Sequence, residues 1–241
     1  MHTSQRIVER VRYELHKRDV AVRRVEPLGA HFVSITFGGS SLAGFESRGF
    51  DDHVKFMFVD AGGEVVWRDY TPRRFDADAC ELTIEFALHG EGKASAWARQ
   101  AVPGQSATIG GPRGSMIVPA DFDWHLLAGD ATALPAIRRR LAELPIRVKV
   151  IVVAAAAVDD RIVPATDAEL DVRWVGSDDE LVTAIQDMEL PEGEGFAWCA
   201  GEAWAMKEIR KHLAEKNLPK GAMRVSAYWK KGVGGHHENL E

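Results

Sequence analysis

The stretch WHLLAGDATALPAIRRRLAEL, residues 124–144, changes its hydrophobic period partway along. It begins as a short apolar run that ends in Gly129-Asp130, the pattern of a buried strand. From Thr132 onward the apolar residues recur at helical spacing. A buried strand passed directly to a helix is the repeating unit of a parallel sheet wound with crossovers. The same grammar continues to the end of the chain. RVKVIVVAAA and VRWVGS read as strands, ELVTAIQDM as a helix, FAWCAGE as a strand, AWAMKEIRKHLAEKN as a helix and MRVSAYW as a last strand. Gly129-Asp130 and Gly201-Glu202 then fall at the carboxyl ends of strands, where open α/β sheets receive ligands.

Upstream the grammar differs. DVAVRRVEPLGAHFVSITFGG, HVKFMFVDAGGEVVWRDYT and CELTIEFALHG are short β-rich runs broken by Pro-Leu-Gly, Gly-Gly and Ala-Gly-Gly, as in an antiparallel barrel or sandwich. ATIGGPRGSMIVP continues that style, so the all-β portion is expected to end near Pro119. Ile7, Val11 and Leu15 recur at four-residue spacing and predict a short amphipathic helix over residues 3–17. The expected fold is therefore a two-domain β plus α/β chain. Residues 1–120 form an antiparallel β-barrel preceded by the short helix, and residues 121–241 a doubly wound parallel-sheet domain.

The totals agree with that division. The chain has 241 residues, 46% of them hydrophobic and 27% charged, ordinary for a globular protein. Cys80 and Cys199 are far apart and form no CxxC pair, which argues against a zinc site or disulfide framework and suits the reducing cytoplasm. The polar start MHTSQRIVERVRYELHKRD lacks the apolar core of a signal peptide, and no apolar run is long enough to span a membrane. A formal charge of −6 argues against general nucleic-acid binding. His236 and His237 read as part of a flexible tail, not as metal ligands.

Two fragments carry the chemistry. RDYTPRRF, residues 68–75, gathers three arginines around a tyrosine and an extended Thr-Pro. Its plain reading is a strand end with solvated arginines. Its functional reading is a flat ring at Tyr70, a hydroxyl at Thr71, and a guanidinium at Arg68 or Arg73 that grips phosphate through its planar fork of donors. Those are the needs of a flavin dinucleotide. HGEGKASAWA, residues 89–98, is a Gly-containing turn before a helix start, able to aim bare N–H groups at phosphate. Alone it is a common turn, in which Ser95 merely caps a helix. Behind RxYTxR the two fragments reinforce each other.

With GPRG at 111–114, LLAGDATALPAI at 126–137, WCAGEAWAMKEIRKHL at 198–213 and YWKKG at 228–232, these fragments resemble the ferredoxin-reductase-like flavoproteins. More narrowly, they resemble the siderophore-interacting protein family of FAD-dependent ferric-siderophore reductases. The resemblance runs in order from Val20 to Gly232. It implies that Arg68 faces the FAD pyrophosphate, Tyr70 packs on the flavin and Thr71 bonds near its reactive nitrogen. It further implies that Arg73 and His89 lie near the cofactor, that Gly92, Ala94 and Ser95 bind the pyrophosphate, and that Asp130, Thr132 and Ala133 hold the adenosine half. Two departures stand out. Lys93 occupies a position where the family often has proline, and Lys230 and Lys231 replace arginines in the terminal motif. Lysine keeps the charge but loses the bidentate fork.

The same resemblance implies the substrate and the donor. A ferric siderophore, anionic and of the catecholate type, needs a local basic rim on an acidic protein. Lys55, where the family uses a lysine for substrate, is expected to supply it with Arg113, Lys230 and Lys231. Singly, each reads as a solvated surface charge. No protein nucleophile, general base or iron ligand is required, because the cofactor carries the electrons. NADPH or NADH is the implied donor, although no GxGxxG fingerprint is present. Gly201, Glu202 and the helix near Ala203 are candidate neighbours of the nicotinamide nucleotide, and Arg173 of a 2′-phosphate. A ferredoxin donor stays open. Two alternatives share part of this pattern: a general NAD(P)H:flavin or ferredoxin oxidoreductase, and a non-catalytic siderophore-binding protein.

Overall fold

The computed structural model describes residues 6–60, 62–88, 92–232 and the backbone of 238–240. The chain forms two compact units. Residues from Glu9 to Val118 make one, and the residues from Pro119 onward, joined by those before Glu9, make the other.

The first unit is all-β apart from one short helix. Its elements are β1 (Glu9–Arg12), β2 (Lys17–Pro27), β3 (Phe32–Gly38), β4 (Val54–Val59), β5 (Val65–Tyr70), β6 (Pro72–Asp76), β7 (Glu81–Ala87), α1 (Lys93–Arg99), β8 (Ser106–Gly110) and β9 (Gly114–Ile117). Seven strands form one antiparallel sheet in the order β5-β4-β8-β2-β3-β7-β6. The two edge strands of that sheet, β5 and β6, are consecutive in sequence with only Thr71 between them. A sheet whose opposite edges are joined by one residue has to curl until those ends meet; among the described residues no β5–β6 ladder closes it, so it is a partly open barrel whose edges are β5 and β6. Alternate residues of the strands turn inward, and Val22, Ile35, Phe37, Phe56, Leu82, Ile84 and Phe86 form the core. Helix α1 closes it with Trp97, whose ring lies 4.8 Å from Phe56 at 67°.

The helix expected over residues 3–17 is not formed among the described residues, which begin at 6. Residues 9–12 are a strand, β1, paired antiparallel with β9 from Glu9↔Ile117 to Arg12↔Gly114. Ile7 and Leu15, two of the three residues that suggested a helix, are mainly exposed. The segment instead gains a backbone ladder that the short β9 lacks elsewhere. Tyr13 extends it, its N–H donating to the Arg113 carbonyl and its hydroxyl lying 2.8 Å from Ser115 Oγ. Helical spacing was outweighed by an available sheet partner.

The second unit holds β10 (Trp124–Gly129), α2 (Leu134–Glu143), β11 (Lys149–Ala155), β12 (Glu169–Val175), α3 (Asp178–Asp187), β13 (Gly195–Glu202), α4 (Ala203–Glu215), β14 (Met223–Trp229) and β15 (Glu238–Leu240). The sheet order is β12-β11-β10-β13-β14-β15, parallel except for the last strand. Strand β10 is buried along its whole length, because helices cover both of its faces. Leu126 and Ala128 meet the core of α3 and α4, where Leu181, Ile185, Met206, Ile209 and Leu213 are buried. Arg6 is held by this unit, donating to Asp123 Oδ1 at 2.8 Å and to Glu194 Oε2 at 3.2 Å beside the Phe122 ring.

At the start of β13, Gly195 faces the indole of Trp124 so closely that a Cβ would enter the ring. Trp124 is buried, so the indole cannot swing away. Gly195→Ala should therefore destabilise the chain by about 1–3 kcal/mol through overpacking, read as a lower urea midpoint at unchanged slope. An unchanged midpoint would show that the indole yields freely.

Candidate functional site

The barrel unit concentrates its candidates at the closing corner. Tyr70 ends β5 and stacks inward, 4.4 Å from Phe86 and edge-on to Phe56 at 5.9 Å. Burial pushes its phenol well above the usual range, with the charge of Arg68 pulling the other way. The phenol therefore stays neutral and serves as an aromatic wall. Thr71, buried, lies at the turn between the two edges. Among the described residues no group bonds its hydroxyl. Arg68 spends one donor on the Trp67 carbonyl at 2.7 Å and keeps the rest of its fork. An unused hydroxyl, a fixed aromatic wall and a guanidinium with spare donors are what an FAD needs, so the residues at this corner fit the cofactor.

Arg73, on β6, pairs with the buried Glu85 of the neighbouring β7 at 3.2 Å, so its charge is partly neutralised by the protein itself. His89 lies outside the described residues. Gly92 caps α1 with extended backbone, and Ala94 and Ser95 are buried in its first turn. Ser95 is inside the helix, not its cap, and its hydroxyl donates to the Ala87 carbonyl at 3.1 Å. Lys93 reaches the β4–β5 hairpin, with Nζ 2.6 Å from both Asp60 Oδ2 and Glu64 Oε2. Lys55, on β4, lies opposite both Asp69 and Gly110 in the sheet. Its Nζ sits 2.7 Å from Asp69 Oδ2 and 4.3 Å over the Trp67 ring. Arg113 is exposed just ahead of β9.

In the second unit the strand ends are tied together by Asp130. Its Oδ1 accepts from the N–H and hydroxyl of Thr132 at 2.8 and 2.6 Å. Its Oδ2 accepts from the Glu202 N–H at 2.9 Å and the Trp229 indole N–H at 2.7 Å. A carboxylate offers about four lone-pair directions, and here all are used. Burial pushes the Asp130 carboxyl upward, against donors that favour its ionised form. The knot requires glycine at 201, where a Cβ would lie 2.6 Å from Asp130 Oδ2. Asp130 thus acts through what it positions, namely the turn at Thr132 and Ala133 and the end of β14.

Glu202 repeats the device. Its Oε2 accepts from the first-turn amides of α4, Trp204 at 2.6 Å and Ala205 at 3.3 Å, and its Oε1 accepts from the Lys231 N–H at 3.2 Å. The N-terminus of α4 therefore already carries its own anion. Trp229 and Lys231 are anchored through ring and backbone, which leaves the Lys230 and Lys231 side chains in water. The sequence alone did not disclose that YWKKG is held by Asp130 and Glu202, because those bonds join residues 99 and 29 positions apart. Asp178 is in the first turn of α3. Trp198 is fully buried, whereas Trp204 is half exposed. His236 and His237 lie outside the described residues. Among the described residues no cluster of three His, Cys, Asp or Glu side chains is placed to hold a metal.

Comparisons with known proteins bear on both units. Residues 122–232 match the family model described as siderophore-interacting protein, and residues 21–67 and 60–116 match the siderophore-interacting FAD-binding domain. The chain is 36% identical to an NADPH-dependent ferric-chelate reductase of Escherichia coli K12, over 95% of this chain and 99% of that one. It is 28% identical to the ferric vibriobactin reductase ViuB of Vibrio cholerae, over 87% and 88% of the two chains. The crystal structure of a siderophore utilization protein from T. fusca superposes with a TM-score of 0.86 at 35% identity, covering 95% of this chain and 98% of that one.

The carboxylates at the strand ends make stability depend on pH. Partial burial first, and then the charges of Asp130, Glu202 and Asp179, push Asp178 up to about 6. An acid raised above its unfolded value of about 3.9 keeps its proton longer when folded. Its contribution therefore favours the fold at low pH and is lost as pH rises through the interval between the two values. Asp178→Asn removes that loss, so its melting temperature relative to the wild type should rise between about pH 4 and pH 6 and level off above that. A difference that stays constant across the range would contradict the assignment.

Proposed function

The chain belongs to the siderophore-interacting protein family, and from that membership we propose that it is an FAD-dependent ferric-siderophore reductase drawing its electrons from NADPH. The observation that carries the reading is the corner at residues 68–71, where aromatic wall, unused hydroxyl and spare guanidinium donors converge in a chain that matches the family along both units. We assign cofactor binding to the barrel unit and the nicotinamide nucleotide to the strand ends of the second. No helix among the described residues is long and apolar enough to cross a membrane. Cys80 and Cys199 are both free, in keeping with a cytoplasmic setting.

In this reading Arg68 takes a cofactor phosphate through its fork, Tyr70 walls the flavin and Thr71 bonds its edge. Gly92, Ala94 and Ser95 shape the phosphate turn, His89 approaches the same cofactor, and Arg73 adds positive charge tempered by Glu85. Thr132 and Ala133, held by Asp130, border the adenosine half. Bound FAD supplies the exchange between a two-electron nicotinamide donor and a one-electron ferric acceptor. The Tyr70 phenol is held neutral by burial, so it walls the site without adding charge. The protein's task is to orient cofactor and substrate and to keep them apart from water. Lys55, Arg113, Lys230 and Lys231 draw in an anionic chelate of the catecholate type. Ferrous iron then leaves because hard oxygen ligands hold Fe(II) less tightly than Fe(III).

Purified protein loaded with FAD should lose its blue absorption band when mixed anaerobically with NADPH, and regain it on addition of a ferric catecholate as a ferrous trap fills. NADH and reduced ferredoxin belong in the same assay as competing donors. Protein that binds no flavin, or that is reduced yet delivers no ferrous iron, would overturn the reading. Lys55→Glu should raise the KM for anionic ferric chelates about 5- to 10-fold at low salt and less at high salt, as expected for exposed charges. An unchanged KM at low salt would remove Lys55 from the substrate site.

A further inference from the structure

Strand β5 is an edge of the barrel sheet, and its outward side chains are Val65, Trp67 and Asp69. Across from them on β4 stand Val59, Met57 and Lys55, in register. Edge strands in monomeric proteins are usually guarded by charge or proline, because bare apolar edges invite unwanted pairing. This one instead presents an indole that is 55% exposed, beside Val59 and Val65, which are 61% and 68% exposed. The apolar strip ends in an ordered charge. Lys55 Nζ is fixed on the indole face at 4.3 Å and on Asp69 Oδ2 at 2.7 Å. Gly110, opposite Lys55 on β8, contributes no side chain, and the Met57 methyl packs over it beside the lysine stem.

The arrangement combines a flat π-surface with one ammonium whose charge is shared with a carboxylate. Shared charge weakens attraction for anions in general. What the exposed remainder of the indole still offers is aromatic contact next to a cation, which suits a ligand that is both aromatic and anionic. We infer that Trp67, with Lys55 and Asp69, receives an aryl ring of the ferric chelate and gives this site its preference for catecholate or phenolate ligands over aliphatic ones. The inference rests on the reading of Lys55 as a substrate contact. Trp67 is the specificity residue, Lys55 attracts, and Asp69 restrains Lys55 so that charge alone does not decide which anion binds.

The test uses the FAD-loaded full chain and two redox-inert probes of like charge sign, gallium(III) tris-catecholate and gallium(III) citrate, titrated by calorimetry. Trp67 is exposed on an edge strand, so its substitution leaves the core intact. Trp67→Leu should raise the Kd for the catecholate about 5- to 10-fold, the size of an aromatic contact beside a cation, with citrate changed less than about 2-fold. Trp67→Phe should recover most of the catecholate binding. Asp69→Asn should tighten both probes and narrow the gap between them, since it frees the charge of Lys55. Equal losses for both probes in Trp67→Leu would mean that the indole merely positions Lys55, and no loss would mean that it does not touch the ligand. Either overturns the inference while the reductase reading stands. Failure of the wild type to bind either probe would overturn both.

Discussion

The barrel depends on a single residue of slack. Strands β5 and β6 lie at opposite ends of the hydrogen-bond order, yet Thr71 alone separates them in the chain. No flat arrangement of seven strands satisfies that connection, so the curl of the sheet and the corner imply each other. Pro72 follows from it. Proline offers no N–H to the ladder and fixes an extended approach, which suits the first residue of an edge strand. Tyr70 follows as well, because the residue that ends β5 is carried across to the ring of Phe86 on β7. The cluster of functional residue types in RDYTPRRF is therefore also the place where the fold is decided. Substituting within it disturbs architecture and chemistry together.

The second unit solves a different problem with one carboxylate. Parallel strands end in turns whose polar groups need partners, and here β10, β13 and β14 converge on Asp130 through Thr132, Glu202 and Trp229. Four donors on one buried carboxylate give a rigid edge, at the cost of holding a charge away from water. Glu202 and Asp178 add to the same acidic rim. A rim of that sign suits the hydroxyls and the amide of a nicotinamide nucleotide and not its phosphates. The electrostatics thus divide the labour: guanidinium donors gather at the barrel corner, and carboxylates gather at the strand ends of the α/β unit.

Much of this was legible in the sequence, and the reason is locality. The change of period at residues 124–144 marks the strand-to-helix handover because each side of it is set by neighbours a few positions away. The barrel runs and the RDYT corner are legible for the same reason. The N-terminal segment was misread because Ile7, Val11 and Leu15 satisfy a helical period, while the deciding partner, β9, lies more than a hundred residues downstream. The knot at Asp130 was half legible. Its position after a strand marked it as functional, but its partner Trp229 is visible only once the sheet is assembled. Trp67 and Asp69, on either side of Arg68, carry no signal of their own, since nothing in the linear order says that Lys55 will reach both.

Three lysines replace residues of stricter geometry in this chain, and the structure gives each a compatible setting. Lys93, where the family often has proline, ties the start of α1 to the β4–β5 hairpin through Asp60 and Glu64, so ion pairs supply a restraint that a ring would have built in. Lys230 and Lys231 hold no fork for bidentate contact, and the Lys231 N–H is anchored on Glu202 while both side chains are exposed. Point charges on flexible stems attract an anion without prescribing its shape. If long-range attraction is deliberately imprecise, discrimination has to come from a surface that responds to more than charge. The outward indole of β5, held rigid in a strand and paired with a restrained ammonium, has that property. Attraction and selection are then carried by different residues, and a substitution can alter one without the other.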